Sequence, residues 1–321
     1  MVVVIGDACA DIVIRSSSAS VTDAQQDFTP EVTCGGSAAN TAKLLSYLGM
    51  DVAFVGSVGK DVYGSLIKET FLSAGVDIAG LVELADEFTT LVFAMVDPSG
   101  FANLKSWPKR EGADLKLDSN MVDISVYNDI TWLHTTGLSL IENPTRNTIF
   151  NTMEYAKSMN VPVSFDLNLR AGKINGKIDQ EYSLYIRRAI GLSDYVLGSS
   201  TEEIPLLDCV GNIEQAAKNL ANNQRFVISR DGAEGAICTN GDKVMRTNSI
   251  SSEIQDTIGA GDAFNAGFIA SILEGHTISQ ALSWGHATAS LSLQSLGTSA
   301  RFARKDILDV VAMEKNKSGD L

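Results

Sequence analysis

The chain predicts an α/β architecture built on a mostly parallel sheet, and three observations carry that prediction. After Gly112, short apolar runs alternate with helical patterns, the rhythm of strands covered by helices on both faces. The opening Met1-Val2-Val3-Val4-Ile5-Gly6 reads as a first core strand. Two β-rich patches, near residues 11–33 and 88–106, lie far apart in sequence; each is a weak sheet alone, and together they predict a small separate sheet over the mouth of the main domain.

Taken in order, Val2–Ile5 and Asp11–Ile14 are expected strands, separated by Gly6-Asp7-Ala8-Cys9-Ala10. Ser16 to Pro30 is polar and reads as irregular or as an edge hairpin. Ser37 to Leu48 carries apolar residues at helical spacing and stops at Gly49. Val52–Val55 reads as a buried strand, and Asp61 to Ala74 as a helix ended by Gly75. Thr89–Val96 and Phe101–Leu104 flank Asp97-Pro98-Ser99-Gly100, a hairpin turn signal. The alternating region then gives strands at Ile130–Leu133, Val161–Phe165, Tyr195–Leu197, Phe226–Ser229 and Ala236–Thr239. Its helices are Pro144–Met159, Glu181–Leu192, Ile213–Ala221, Gly261–Leu273 and Ser279–Leu293. The polar tail from Glu314 is expected to fray.

Bulk properties exclude several classes. At 321 residues, 45% hydrophobic and 20% charged, the chain suits one large α/β domain or two small ones, and we read residues 1–321 as one. No apolar stretch approaches the ~18 residues of a membrane span, and the start lacks the basic flank of a signal peptide. Cys9, Cys34, Cys209 and Cys238 are scattered without CxxC spacing, which points to a reduced, cytoplasmic setting. A net charge of −14 opposes a nucleic-acid-binding surface but not a small phosphorylated ligand.

The chemistry concentrates at Asp256-Thr257-Ile258-Gly259-Ala260-Gly261-Asp262-Ala263-Phe264. A glycine turn opens a helix there, and unpaired N–H groups at a helix start bind anions. Asp262 is a poor neighbour for a resting phosphate. It makes sense as a base that takes a proton from a hydroxyl while the N–H groups hold the phosphoryl group under attack. The plain structural alternative is a helix start with a dipole-matched aspartate. Gly35-Gly36-Ser37-Ala38-Ala39-Asn40 is a second small-residue helix start, with Asn40 offering a donor and an acceptor. Asp166-Leu167-Asn168-Leu169-Arg170 follows an apolar strand, at the end where α/β sites form.

The string from Asp256 to Phe264 closely resembles the C-terminal signature of the ribokinase-like (PfkB) carbohydrate kinases, and Gly35-Gly36-x-x-x-Asn40 resembles their N-terminal signature. Asp166-x-Asn168-x-Arg170 is similar to the motif of fructokinase-like and 2-keto-3-deoxygluconate kinase-like members. The resemblance covers nearly the whole chain. It implies a three-layer α/β/α core with a small β-sheet lid, and ATP-dependent phosphorylation of a primary hydroxyl of a sugar or sugar acid. It implies Asp262 as general base, Gly259, Ala260 and Gly261 as anion hole, and Arg170 neutralising the phosphoryl group or binding a substrate carboxylate. Asp11, Gly35, Gly36 and Asn40 would hold the acceptor. Ser229, Arg230, Gly232, Gly235 and His286 fall in segments that lie beside the nucleotide in the family. Asp61 reads equally as part of a family glycine–aspartate stretch or as a helix cap. Mg²⁺ accompanies ATP, a monovalent cation such as K⁺ is left open, and members often form homodimers through the lid. One departure stands out: the family's Asn-x-x-Glu, which orders magnesium through waters, is here Ser199-Ser200-Thr201-Glu202, with Glu203 one residue on. Two alternatives remain. One is a nucleoside kinase stacking its base on Phe28, Phe93, Phe101 or Trp107; the other is a non-catalytic sugar or nucleotide sensor.

Overall fold

Layering starts with β1 (Val2–Ile5), which is buried at every position. Val2 and Val4 belong to the core that includes Phe264 and Phe268, whereas Val3 and Ile5 belong to the one that includes Phe150 and Ile186. An unbroken apolar strand is required when both faces of a sheet are covered. The computed structural model describes residues 1–15, 30–96, 102–107, 111–169, 173–174, 177–208, 211–295, 297–298 and 300–319.

After β1 come β2 (Cys9–Arg15), β3 (Glu31–Gly35), α1 (Ser37–Tyr47), β4 (Val52–Gly59), α2 (Val62–Ala74), β5 (Asp77–Leu84), β6 (Leu91–Val96) and β7 (Ala102–Trp107). The second half holds β8 (Trp132–Thr136), α3 (Thr145–Ser158), β9 (Val163–Asp166) and the short pair β10 (Lys173–Ile174) and β11 (Lys177–Ile178). Then follow α4 (Gln180–Leu192), β12 (Tyr195–Ser199), α5 (Ile204–Leu207), α6 (Ile213–Ala221), β13 (Phe226–Arg230), β14 (Ala236–Thr239) and β15 (Val244–Thr247). Three helices close the chain: α7 (Ala260–Leu273), α8 (Ile278–Leu293) and α9 (Arg304–Gly319).

The large sheet has the order β15-β14-β13-β12-β9-β8-β1-β4-β5. Pairing is parallel from β13 to β5, and β14 and β15 add an antiparallel edge. Helices cover both faces, as the alternation predicts for a mostly parallel sheet, and the three layers are those the family resemblance implies. A separate sheet, β3-β2-β6-β7, joins the two sequence-distant β-rich patches, with β2 parallel to β6 and antiparallel pairs outside it. Because β2 follows β1 after a three-residue turn and β3 runs straight into α1, this lid stands over the carboxyl ends of β1 and its neighbours.

The sequence reading lacked several elements and left the role of Asp61 even between two. β5 and β15 had no counterpart in it: the exposed Asp77 and Glu83 break the apolar pattern of one, and Arg246 that of the other. Helix α9 had no counterpart either, and it runs to Gly319, past Glu314, where the polar composition predicts fraying. Asp61 is a helix cap, accepting N–H groups of Tyr63 and Gly64 at 3.0 and 2.8 Å and that of Thr89 at 2.9 Å. Burial alone would raise its pKa, but these bonds bring it below the usual carboxylate range. The polar 16–29 segment, the Asp97–Gly100 turn, Phe28, Phe101, Cys209 and Arg170 lie outside the described residues. Among the described residues, no helix is long and apolar enough to cross a membrane.

Candidate active site

Two helix starts meet beneath the lid. At the first, Gly36 has φ 101° and delivers the chain into α1. The start is capped from a distance by Asp7, which follows β1: Asp7 accepts the Ser37 N–H at 2.6 Å on one oxygen and the Thr136 and Ser139 hydroxyls at 2.9 and 3.2 Å on the other. Asp7 is 2% exposed, so this carboxylate serves the fold. Preceding Gly36, Gly35 lies against Asp11, whose carboxylate would fall about 2.1 Å from a Cβ at that position. Only glycine permits that approach. Asp11 is buried on β2, where Cys9 Sγ donates to it at 3.5 Å.

At the second start, Gly259 sits in the left-handed region at φ 80° and, having no side chain, offers α7 no cap of its own. Helix geometry leaves the first-turn N–H groups without intrahelical acceptors. Asp262 lies in that turn and is gripped by α1: Ser37 Oγ donates to Oδ1 at 2.6 Å and Asn40 Nδ2 to Oδ2 at 2.9 Å. Both oxygens are thereby oriented. The second acceptor atom of that network, Asn40 Oδ1, is buried without a partner in the protein.

Below the turn lies a buried ionic layer. Arg230, at the end of β13, donates to Asp166 at 2.7 Å, and to the Gly261 carbonyl and Asn265 Oδ1 at 2.9 Å each. Asn265 Nδ2 completes the ring with a 2.8 Å bond to the other Asp166 oxygen. Burial opposes the charge on Arg230, yet Asp166 and Glu203 more than compensate, and its pKa is raised. Glu203 accepts the N–H groups of Leu169 and Ser199 at 2.9 and 2.8 Å, and burial, then Asp166, push its pKa upward. Glu203 therefore braces the Asp166–Leu169 loop. Its neighbour Glu202 is exposed, with its N–H on Ser199 Oγ at 3.1 Å.

The sequence-derived candidates separate on this geometry. Asp262, Asn40, Asp11, Gly35, Gly36 and the Gly259-Ala260-Gly261 turn gather at one place. Arg230 comes to the same place but from beneath, committed to protein partners. Ser229 is wholly buried, and among the described residues its hydroxyl has no partner. Gly232 and Gly235 form the β13–β14 turn, and a Cβ at Gly235 would meet the Thr247 carbonyl at 1.9 Å. His286 lies farther along α8, bonded to Thr247 Oγ1 at 2.9 Å and edge-on to Phe264; burial lowers its pKa to about 4, so it is neutral at pH 7. Asp7, Ser37 and Asn265 were not singled out in the sequence. Ser37 alone carried a signal, because a serine follows the glycine pair at N1 of the helix.

Comparison with known proteins gives the family. The model of the pfkB family carbohydrate kinases matches residues 1–305. A 5-dehydro-2-deoxygluconokinase of Photobacterium profundum is 28% identical over 315 residues, covering 95% of this chain and 92% of its own. A Vibrio cholerae fructokinase, solved with fructose, ADP and potassium ion, is 25% identical with a TM-score of 0.82, each chain being covered to 97%. A putative ribokinase II of E. coli, solved with ATP and Mg²⁺, superposes with a TM-score of 0.85 at 22% identity, covering 97% of this chain and 99% of that one. With a family model spanning nearly its full length and both glycine turns meeting at one aspartate, this chain belongs to the pfkB family of carbohydrate kinases.

Proposed function

We propose that the protein transfers the γ-phosphoryl group of ATP to a primary hydroxyl of a sugar acid. The observation that carries this reading is Asp262, held by Ser37 and Asn40 at the uncapped start of α7. Asp262 takes the proton of the acceptor hydroxyl. The alcohol oxygen bonds to the γ-phosphorus, the bond from phosphorus to the β–γ bridging oxygen breaks, and ADP carries away the electron pair. The N–H groups of Gly259, Ala260 and Gly261 face the charge that builds on the phosphoryl oxygens. Asp11 and Asn40 line the acceptor side, where a carboxylate and an amide suit sugar hydroxyls, and Arg170 is assigned to the acceptor carboxylate or the phosphoryl group. The relatives named 5-dehydro-2-deoxygluconokinase support a sugar acid over a neutral sugar.

Mg²⁺ fits a site that offers few protein ligands, because it keeps most of its waters and rides on phosphates. Of the two adjacent glutamates, Glu202 reaches solvent and suits a water-mediated contact, whereas both oxygens of Glu203 accept backbone N–H groups. When bound, the ion offsets phosphate charge. ATP use and the free thiols of Cys9, Cys34 and Cys238 suit a cytoplasmic setting. The lid leaves β3 and β7 as edge strands, which supports a homodimer formed through it.

ADP release with Mg·ATP, measured against sugar acids, ketoses, aldoses and nucleosides, tests the reading. Turnover confined to one sugar acid is expected. Turnover of nucleosides alone would replace it with the second reading, which Phe88 and Trp107 favour: these exposed rings stand 5.9 Å apart at the lid, available for stacking. Nucleotide binding without turnover of any acceptor would point to a sensor.

A further inference from the structure

Lys43 is a lysine where an apolar residue would be expected. It lies on α1 one turn beyond Asn40, on the stripe that faces the α7 start, and only 5% of it is exposed. Its ammonium donates to the Cys34 carbonyl at 2.7 Å. That carbonyl already receives Thr298 Oγ1 at 3.0 Å, so it does not need a charge to satisfy it. Among the described residues no carboxylate pairs with Lys43. An ammonium carries three donors, and burying one without a counter-ion is costly.

The position says what chemistry. Lys43 and Gly259, the first residue of the anion-binding turn, line the same narrow cavity, together with Asn40 and Thr298. The partnerless Asn40 Oδ1 belongs to a residue of that cavity. Arg230, the buried cation beneath the turn, is committed to Asp166. In a chain of net charge −14, a phosphoryl group needs a local positive site.

We propose that Lys43 is the resident positive charge of the phosphoryl site: its ammonium stands behind the Gly259–Gly261 turn and offsets the negative charge of the group being transferred. It acts through the turn and is a positioning residue. This rests on reading that turn as the anion hole.

Two variants and two readouts test it. Lys43→Met keeps the length and removes the charge. Expected are a folded protein, a kcat lower by about tenfold to a hundredfold with little change in acceptor KM, and a severalfold loss in the preference for Mg·ATP over Mg·ADP measured by calorimetry. Lys43→Ala opens space, and its rate should recover with propylammonium but not with propanol. The role is overturned if Lys43→Met turns over within about twofold of wild type. It is equally overturned if the nucleotide preference is unchanged, or if propanol rescues as well as propylammonium, which would make the residue a packing element. The nucleotide readout needs no acceptor. It decides the role of Lys43 even where the wild-type chain phosphorylates nothing on the panel, a result that would count against the proposed function instead.

Discussion

The starts of α1 and α7 are built from similar glycine-rich sequence and face one another, yet they are finished differently. At α1 the protein supplies its own anion, because the buried Asp7 accepts the Ser37 N–H and leans on the Ala38 N–H at 3.4 Å. At α7 the cap residue is a glycine with no side chain to offer, and the carboxylate in its first turn is drawn toward α1 instead. A helix start that is already neutralised has little left for a ligand. On the proposed reading the open one is the phosphate site, and the closed one is a rigid donor platform for the base. Sequence similarity between two glycine turns does not imply a shared role; the deciding residue can lie 30 positions away.

Removing the base breaks the comparison most directly. Asp262→Asn should keep the Ser37 contact, lower kcat by about 10²- to 10⁴-fold, and leave Mg·ATP affinity near wild type by calorimetry. Loss of nucleotide binding together with activity would mean that Asp262 maintains the turn, and the assignment of a base would fall.

The next largest effect is expected beneath the open start. Arg230→Met strands Asp166 and Glu203 as buried carboxylates and releases the Gly261 carbonyl. Breaking a buried pair by deleting one partner costs about 3–5 kcal/mol, which urea unfolding would register. Turnover per folded molecule should also drop, because the anion turn loses its tether. A variant as stable as wild type would show that Arg230 is not the keystone of this layer.

How much of this was legible in the sequence follows from the range of each interaction. Helix α7 and its glycine turn were legible because glycine, aspartate and helical spacing are local signals, and the lid was legible because short apolar runs flank turn residues in both β-rich patches. The inward turn of Arg230 was not: it depends on Asp166, 64 residues away, and on Asn265, and nothing local separates a ligand-facing arginine from a core-facing one. Asp7 was hidden for the same reason, since its partners Thr136 and Ser139 lie 129 and 132 residues distant. Between Glu202 and Glu203, a single step in a turn decides which is buried, and composition carries no trace of it.

At the closed start, Asp7→Asn should cost about 1–2 kcal/mol, the range of a lost helix cap, and lower kcat only severalfold, because Ser37 and Asn40 would still reach Asp262. Thermal unfolding together with steady-state rates checks this. An effect on kcat as large as that of Asp262→Asn would erase the distinction between the two starts.

The smallest effect concerns Asp114, which lies behind the closed start, accepts the Thr90 hydroxyl, and has its pKa raised to about 6, first by burial and, among nearby charges, by Asp7. Its carboxyl is easier to protonate folded than unfolded, where the value is the ordinary 3.8. Its contribution to stability is therefore fully present below pH ~3.8 and is lost as pH rises through about 6. Asp114→Asn can still accept the Thr90 hydroxyl and never ionises. The stability of this variant relative to wild type should thus rise between pH 4 and 6 and level off above, in denaturant midpoints taken across that range. In an Asp7→Asn background the rise should shrink, because one source of the shift is gone. A difference that is flat with pH would mean that Asp114 stays ionised in the fold, and that the acidic side of the closed start is better solvated than its burial implies.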